Sequence, residues 1–592
     1  MFLLPGHGTA AVHHERRPLY HKEGVFPDAS AFGFSEARQF PPDPTLGGFG
    51  YLFPDAPDAG RGEEDTHALD ALSDAMLRAP GDPDDNAFIA PVFTFFGQFI
   101  DHDITAIGDR DAAVSVIDTD RVAPIDRGAA THGLRNLRSG ALTLECIYGG
   151  GPMAGDVARR LHEALRSTED PAKLALGDVT PDSAAALPPD ECAGRDLLRL
   201  GDLIAAGRIC ESDLRALPAP MRDLFVRPDG QLRLQRAILG DMRNDANLPL
   251  AQFHLAIVRL HNRIVDCVPE DVARRGDAAR FAWARRMTTW HIQWLALYCF
   301  LPAICDQDTL GDILISGPLL YRDMVRRHAA PDGRPAQLPL PMEFSFAAFR
   351  FGHTTLRDRY DWNAQFGRSA GQPIMARAPF NMLFAFTGGA DDPMPRCSGG
   401  NAPSLPAHLL IDWGRFVHQP SAAMPDRSAR KIDTHLALPL RELAHEEAGD
   451  HSVLRHLARR NLRRGHRMNL ACAQECLAAM AARGIELPAL TPAQLASGET
   501  GAEIRAGGFD RATPLWFYVL KEAEVLQDGR RLGPLGTWLV ADTILGLITH
   551  DPHSFWNTGT GNGSWHPRDG VRPDGIEITS MASMMEAAGV LA

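Results

Sequence analysis

Pro91-Val-Phe-Thr-Phe-Phe-Gly-Gln-Phe-Ile-Asp-His-Asp-Ile-Thr105 is an aromatic-rich apolar run with Gln98, Asp101, His102 and Asp103 set inside it. As a helix it places Gln98 beside His102 at i,i+4 and beside Asp101 at i,i+3. Phe95 and Phe99 fall near the same stripe. An imidazole flanked by an amide and a carboxylate in apolar surroundings has a pKa open to tuning. Asp103 is turned by about 100° from His102 in a regular helix and so must serve another contact. On this stretch alone two readings stay open: a core helix with a satisfied histidine, or one wall of an active site.

Working outward, the chain reads as mainly helical. Residues 1–85, rich in Pro, Gly, Asp and His, predict an irregular arm with one short helix near 66–79, and Gly81-Asp-Pro-Asp-Asp-Asn86 is a turn and cap signal. A polar loop, Gly240-Asp-Met-Arg-Asn-Asp-Ala-Asn247, leads into an amphipathic helix over 248–267. There Leu250, His254, Ile257, Val258 and His261 recur at helical spacing. Further helices are expected over 280–303, 343–356, 379–386, 429–443, 451–483 (with a break at Gly465), 514–525 and 536–548. Strand signals are few and short, and no repeat or low-complexity tract is present. The expectation is one large domain over 86–592 behind the arm.

Composition removes several classes. A net charge of −14 without a basic, aromatic-laced stripe argues against nucleic acid as a partner. The nine cysteines are scattered, odd in number and without a C-x-x-C pair, which suits reduced thiols in a cytosol better than a disulfide framework. The first residues have no basic region followed by an apolar core, and no run nears the ~20 apolar residues of a membrane span. The default expectation is a soluble, cytoplasmic protein of unassigned oligomeric state; export by another route stays open.

Two apolar segments each present a histidine, His102 and His353, and the loop bearing Arg243 lies between them in sequence. A haem enzyme needs such a set: one imidazole on the iron, a second above it as acid/base, and a guanidinium for developing negative charge. Phe96-Gly-Gln-Phe-Ile-Asp-His-Asp103, Gly240-Asp-Met-Arg-Asn-Asp245 and Ala348-Phe-Arg-Phe-Gly-His-Thr354 occur in the order of the animal-type haem peroxidases, the peroxidase–cyclooxygenase superfamily. Leu144-Glu-Cys-Ile-Tyr-Gly-Gly-Gly-Pro152 and Thr513-Pro-Leu-Trp-Phe-Tyr518 resemble it too, so the resemblance runs from about residue 85 to about 560, and the chain looks like a bacterial member.

The resemblance implies the helical haem peroxidase fold and a set of roles. His102 is the acid/base that moves a proton between the peroxide oxygens, Arg243 the distal arginine, and Gln98 a hydrogen-bonding partner for water or halide. His353 is the axial iron ligand and Arg350 a haem-propionate contact. Asn461-Leu-Arg-Arg-Gly465 resembles the family's Asn-x-x-Arg-Gly run, which makes Asn461 the hydrogen-bond partner of His353 and Arg464 a second propionate contact. The cofactor implied is haem b, with H2O2 and a small aromatic or halide reductant as substrates and a part in the response to oxidative stress.

The departures are informative. Asp101 matches a haem-ester aspartate, but Ala246 stands where the family's second ester glutamate belongs and Asn247 where the sulfonium methionine does. One ester at most is left, and strong chloride oxidation is not expected. Asp103, Ser139, Ala141, Thr143 and Glu145 match the spacing of the family's calcium loop, with Thr143 in place of an aspartate. That leaves hard oxygen donors for a weakened Ca2+ site, or a loop filled with water or empty. Arg350 occupies the place of the radical-forming tyrosine of fatty-acid dioxygenases. Such a dioxygenase is the same-superfamily alternative; a haem-binding protein without enzymatic activity and a divalent-metal phosphohydrolase are those of other classes. The last would need more His and Asp near His102, and only His13-His14 and His254 with His261 are on offer.

Overall fold

The computed structural model describes residues 48–57, 61–77, 85–109, 114–149, 164–181, 191–216, 219–328, 338–368, 371, 373–387, 402–421, 423–443, 452–557 and 565–591. His13-His14, Cys397 and most of the turn at 81–86 lie outside them.

Three helices set the frame. Val92–Ile104 starts at Pro91 and stops where Thr105 turns extended. Leu248–Val265 begins at Asn247, whose side chain accepts from Leu250 N, with Pro249 in the first turn. Asp277–Leu295 packs on Leu248–Val265 and continues through a π-turn, Ala296–Phe300, into Leu301–Ile304. Val92–Ile104 also packs on Leu248–Val265, and the contact is aromatic: Phe253 meets Phe96 at 5.6 Å and Phe99 at 5.5 Å between ring centroids. Each such ring pair adds about 0.5–1.5 kcal/mol beyond its burial. The aromatic column goes on from Phe96 to Phe300 to Phe349, which stacks on Phe344 at 4.5 Å. It ties the His102 helix to the segment bearing His353.

That segment departs from the expected single helix over 343–356. Met342–Phe346 is α-helical, Ala347 breaks it at φ −135° and ψ −79°, and Ala348–His353 follows as a 3-10 turn. Buried Glu343 ties the start of this segment to the N-terminal region, its carboxylate accepting from Leu52 N and Phe53 N. The expected helix over 429–443 is also absent; only a 3-10 turn, Leu438–Arg441, forms there. In the 451–483 stretch the break falls at Asn469 (φ +49°) between Leu457–Arg467 and Ala473–Ala481, not at Gly465, which stays helical.

Strands are two or three residues long: Phe49–Gly50 pairs in parallel with Leu340–Pro341, Ile107–Asp109 antiparallel with Leu134–Asn136, and Arg359–Tyr360 antiparallel with Ala378–Pro379. The mainly α fold is therefore as expected. The boundary at 85 does not mark a separate unit, since Phe49, Leu52, Phe53, Leu69 and Leu72 are buried in the main core and helix Thr66–Ala75 packs on Leu457–Arg467. Residues 1–47 lie outside the described residues. No helix among the described residues is long and apolar enough to cross a membrane.

Candidate active site

A cavity of about 1060 Å³, including its mouth, separates His102 on the long helix from His353 on the 3-10 turn. Both histidines line it, together with Gln98, Asp101, Asn247 and Arg350, and an apolar wall that includes Ile89, Phe93, Leu356 and Phe384.

On the His102 side the ring is buried, and its Nδ1 lies 2.8 Å from Asn244 Oδ1. An amide oxygen only accepts, so Nδ1 carries the proton and Nε2 keeps its lone pair. Asn244 Nδ2 in turn donates to His254 Nδ1 at 3.0 Å. Burial pushes the His102 pKa down to about 3, and the Arg243 charge lowers it further against the pull of Asp241. His254 is likewise held down to about 3 by burial. His102 is thus a neutral imidazole that, with the Asn244 amide in this orientation, keeps its Nε2 lone pair. The sequence reading gave neither Asn244 nor His254 a place in this relay; the only signal was that Asn244 follows Arg243 in the loop motif and His254 lies on the next helix.

Arg243 is placed differently from the expectation of a guanidinium over the cavity. It is fully buried behind His102 and is not among the cavity-lining residues. Its Nη2 donates at 2.8 Å to the carbonyls of His102 and Thr105, and Asp241 holds Nε and Nη2 at 2.7–3.2 Å. The reason is local: the last carbonyls of a helix lack intrahelical donors and attract a cation, and Asp241 sits two residues away to hold it there. Gln98 does face the cavity, its Oε1 accepting from Asn247 Nδ2 at 3.1 Å.

On the other side, His353 is half-buried, and an Asn461 amide atom, Nδ2, lies 2.8 Å from its Nδ1. In this orientation the buried Asn461 Oδ1 has no hydrogen-bond partner. Turning the amide over, which interchanges its N and O, presents Oδ1 to an Nδ1–H instead. That is the arrangement needed by an imidazole bonded to iron through Nε2. The surroundings are cationic. Burial, then the charges of Arg350, Arg460 and Arg464, hold His353 well below the ordinary histidine range. Arg350 lines the cavity with its Nε unpartnered, and burial lowers it to about 10 although Asp101 pulls it up. Arg464 is buried on the helix of Asn461. Arg460, four residues earlier on the same face, belongs with them and was missed by the sequence reading.

These features suit a haem. A Cβ at Gly352 would meet nothing within 4 Å, and Arg350 on the cavity wall, with Arg460 and Arg464 acting on His353, gives a cationic setting suited to carboxylates. Asp101 lines the same cavity, its pKa raised by burial and restrained by Arg350 and Arg243. Asn247, on the same cavity, is engaged with Gln98.

The calcium expectation fares differently. Asp103 accepts from Leu144 N at 2.8 Å and Cys146 N at 2.9 Å, and burial, opposed by the Cys146 N–H, lifts its pKa to about 6. Glu145 accepts from Ser139 N at 3.3 Å and faces the Arg138 guanidinium at 3.9 Å. The Ala141 carbonyl is taken by Thr143 N. Among the described residues no group of three or more His, Cys, Asp or Glu is arranged to hold a metal. In the loop of Asp103, Ser139, Ala141, Thr143 and Glu145, the two carboxylates accept from backbone N–H groups and the Arg138 guanidinium lies beside Glu145, while Ser139 Oγ is buried without a hydrogen-bond partner.

Residues 217–391 match the animal haem peroxidase family, a span holding Arg243 and His353. No curated protein matches the chain in sequence. Among solved structures it is similar to peroxidase A from Dictyostelium discoideum, with TM-score 0.53 and 12% identity, covering 92% of each chain. It is also similar to a tyrosine-to-phenylalanine variant of fatty acid alpha-dioxygenase from Oryza sativa with palmitic acid, with TM-score 0.53 and 12% identity, covering 90% of this chain and 78% of that one. The fatty acid alpha-dioxygenase of Arabidopsis thaliana gives TM-score 0.51 and 12% identity, covering 90% and 75%. The fold is theirs.

Proposed function

From a chain whose residues 217–391 are of the animal haem peroxidase family, we propose a haem peroxidase that reduces H2O2 at the expense of a small aromatic or halide donor. One observation carries the reading: the His102 imidazole, tautomer-locked by Asn244, shares one cavity with His353, backed by Asn461. Haem, when bound, supplies the iron at which the peroxide O–O bond is cleaved and the oxidising equivalents are held for the donor. His353 would hold the iron, and Asn461 would fix its ring. Arg350 and Arg464 pair with the propionates. His102 Nε2 takes the proton from one peroxide oxygen and returns it to the other as water leaves, the acid/base work worth about 10²–10⁴-fold. Gln98, steadied by Asn247, positions water or a halide. Arg243 steadies the backbone of His102 and Thr105, and its charge bears on His102 and on cavity-lining Asp101.

A dioxygenase is favoured by two of the structural likenesses. Against it, Arg350 stands three residues before His353, and no tyrosine is among the described residues lining the cavity. Steady-state assays of the haem-loaded protein separate the two. Peroxide consumption coupled to a phenolic donor, with no O2 uptake on a long-chain fatty acid, is expected; fatty-acid-dependent O2 uptake without added peroxide would overturn the proposal.

A further inference from the structure

Arg138 lies at the head of the 139–145 loop and is almost wholly buried. Its Nη2 bonds Asp241 Oδ2 at 2.5 Å, and its Nη1 is 3.9 Å from Glu145 Oε2. Asp241 is the same carboxylate that grips Arg243, and Arg243 in turn holds the carbonyls of His102 and Thr105. A continuous buried path thus runs from the loop, through Arg138, Asp241 and Arg243, to the C-terminal end of the His102 helix. Two guanidinium groups share Asp241 in a fully buried setting, and such pairs hold geometry firmly because removing one partner strands a charge.

We propose that Arg138 is the built-in cation of the 139–145 loop, replacing any divalent ion there, and that through Asp241 it is a positioning residue for Arg243 and so for His102. The guanidinium faces the Glu145 carboxylate at 3.9 Å, and its charge also favours ionised Asp103. The first half concerns the loop alone; the second rests on the reading of His102 as the group facing the ligand.

The test uses the full chain with haem. Metal analysis of the purified protein should find no calcium, and its thermal midpoint should be the same in EGTA and in millimolar CaCl2. Stoichiometric calcium, or a midpoint lowered by EGTA, overturns the first half whatever the enzyme does. For the second half, cyanide association with the ferric protein is followed at the Soret band. Arg138→Met should slow it about 10–100-fold, the scale of a slight misplacement of reacting groups, with haem content retained. Arg138→Lys keeps the charge but not the fork, and should fall between Arg138→Met and the parent. It also serves should Arg138→Met fail to fold. Cyanide kinetics equal to the parent in a folded Arg138 variant would overturn the positioning role.

Discussion

The two walls of the cavity are built on opposite principles. His102 is buried in a tight relay of hydrogen bonds to Asn244, His254 and, through its backbone, Arg243. His353 is half-buried, meets the Asn461 side chain, and feels the charges of three arginines. One wall fixes a proton on a chosen nitrogen; the other offers a ligand and a field for carboxylates. A base for peroxide must be neutral and rigid, whereas an anchor must attract a charged group and leave one nitrogen open.

Breaking the anchor should have the largest effect. His353→Ala is expected to lose nearly all haem, measured as the haemochrome content of purified protein; full haem content would remove the axial role. Next comes the base. His102→Ala should keep its haem and slow reaction with peroxide by about 10²–10⁴-fold, read by stopped flow, and an unchanged rate constant would end the comparison.

The pH profile sharpens it. The His102 pKa is lowered from the ordinary histidine value to about 3, so the neutral, proton-accepting form persists above that value. The peroxide rate constant should stay flat from neutral pH to about pH 4 and decline only as pH nears 3. Asn244→Asp sets a carboxylate at the 2.8 Å contact, which favours the imidazolium and raises the pKa. Its acid limb should move upward toward neutral pH; a limb that stays near 3 would mean that Asn244 does not set the state of His102. The smallest effect concerns Asn461. Asn461→Leu should retain haem but shift the iron–histidine stretching band and the reduction potential, because Nδ1 loses its partner. An unmoved band would show the amide to be incidental.

Much of this was legible in the sequence where a side chain's role follows from its own helix. Gln98, Asp101 and His102 share one stripe of Val92–Ile104, and all three reach the cavity. His353 and Phe349 also fall together, although the helix expected around them is broken at Ala347. What was not legible depends on partners far apart in the chain. The hold of Arg243 on the helix-end carbonyls of His102 and Thr105 and on the carboxylate of Asp241 is something spacing alone does not reveal. At the 139–145 loop, Asp103 accepts from the Leu144 and Cys146 N–H groups and the Arg138 guanidinium stands beside Glu145, neither of which the loop's spacing announces. Residues 48–77 read as an arm because Pro and Gly punctuate them; burial of Phe49, Leu52 and Leu72 in the shared core is a tertiary outcome.

The most direct test of the central claim, a haem held at His353 and opened to peroxide by His102, is an optical spectrum of the purified or haem-reconstituted protein before and after one equivalent of H2O2. The account predicts a Soret band that shifts on peroxide addition and returns when a phenolic donor is added. A protein that takes up no haem, or a Soret band indifferent to peroxide, would contradict it.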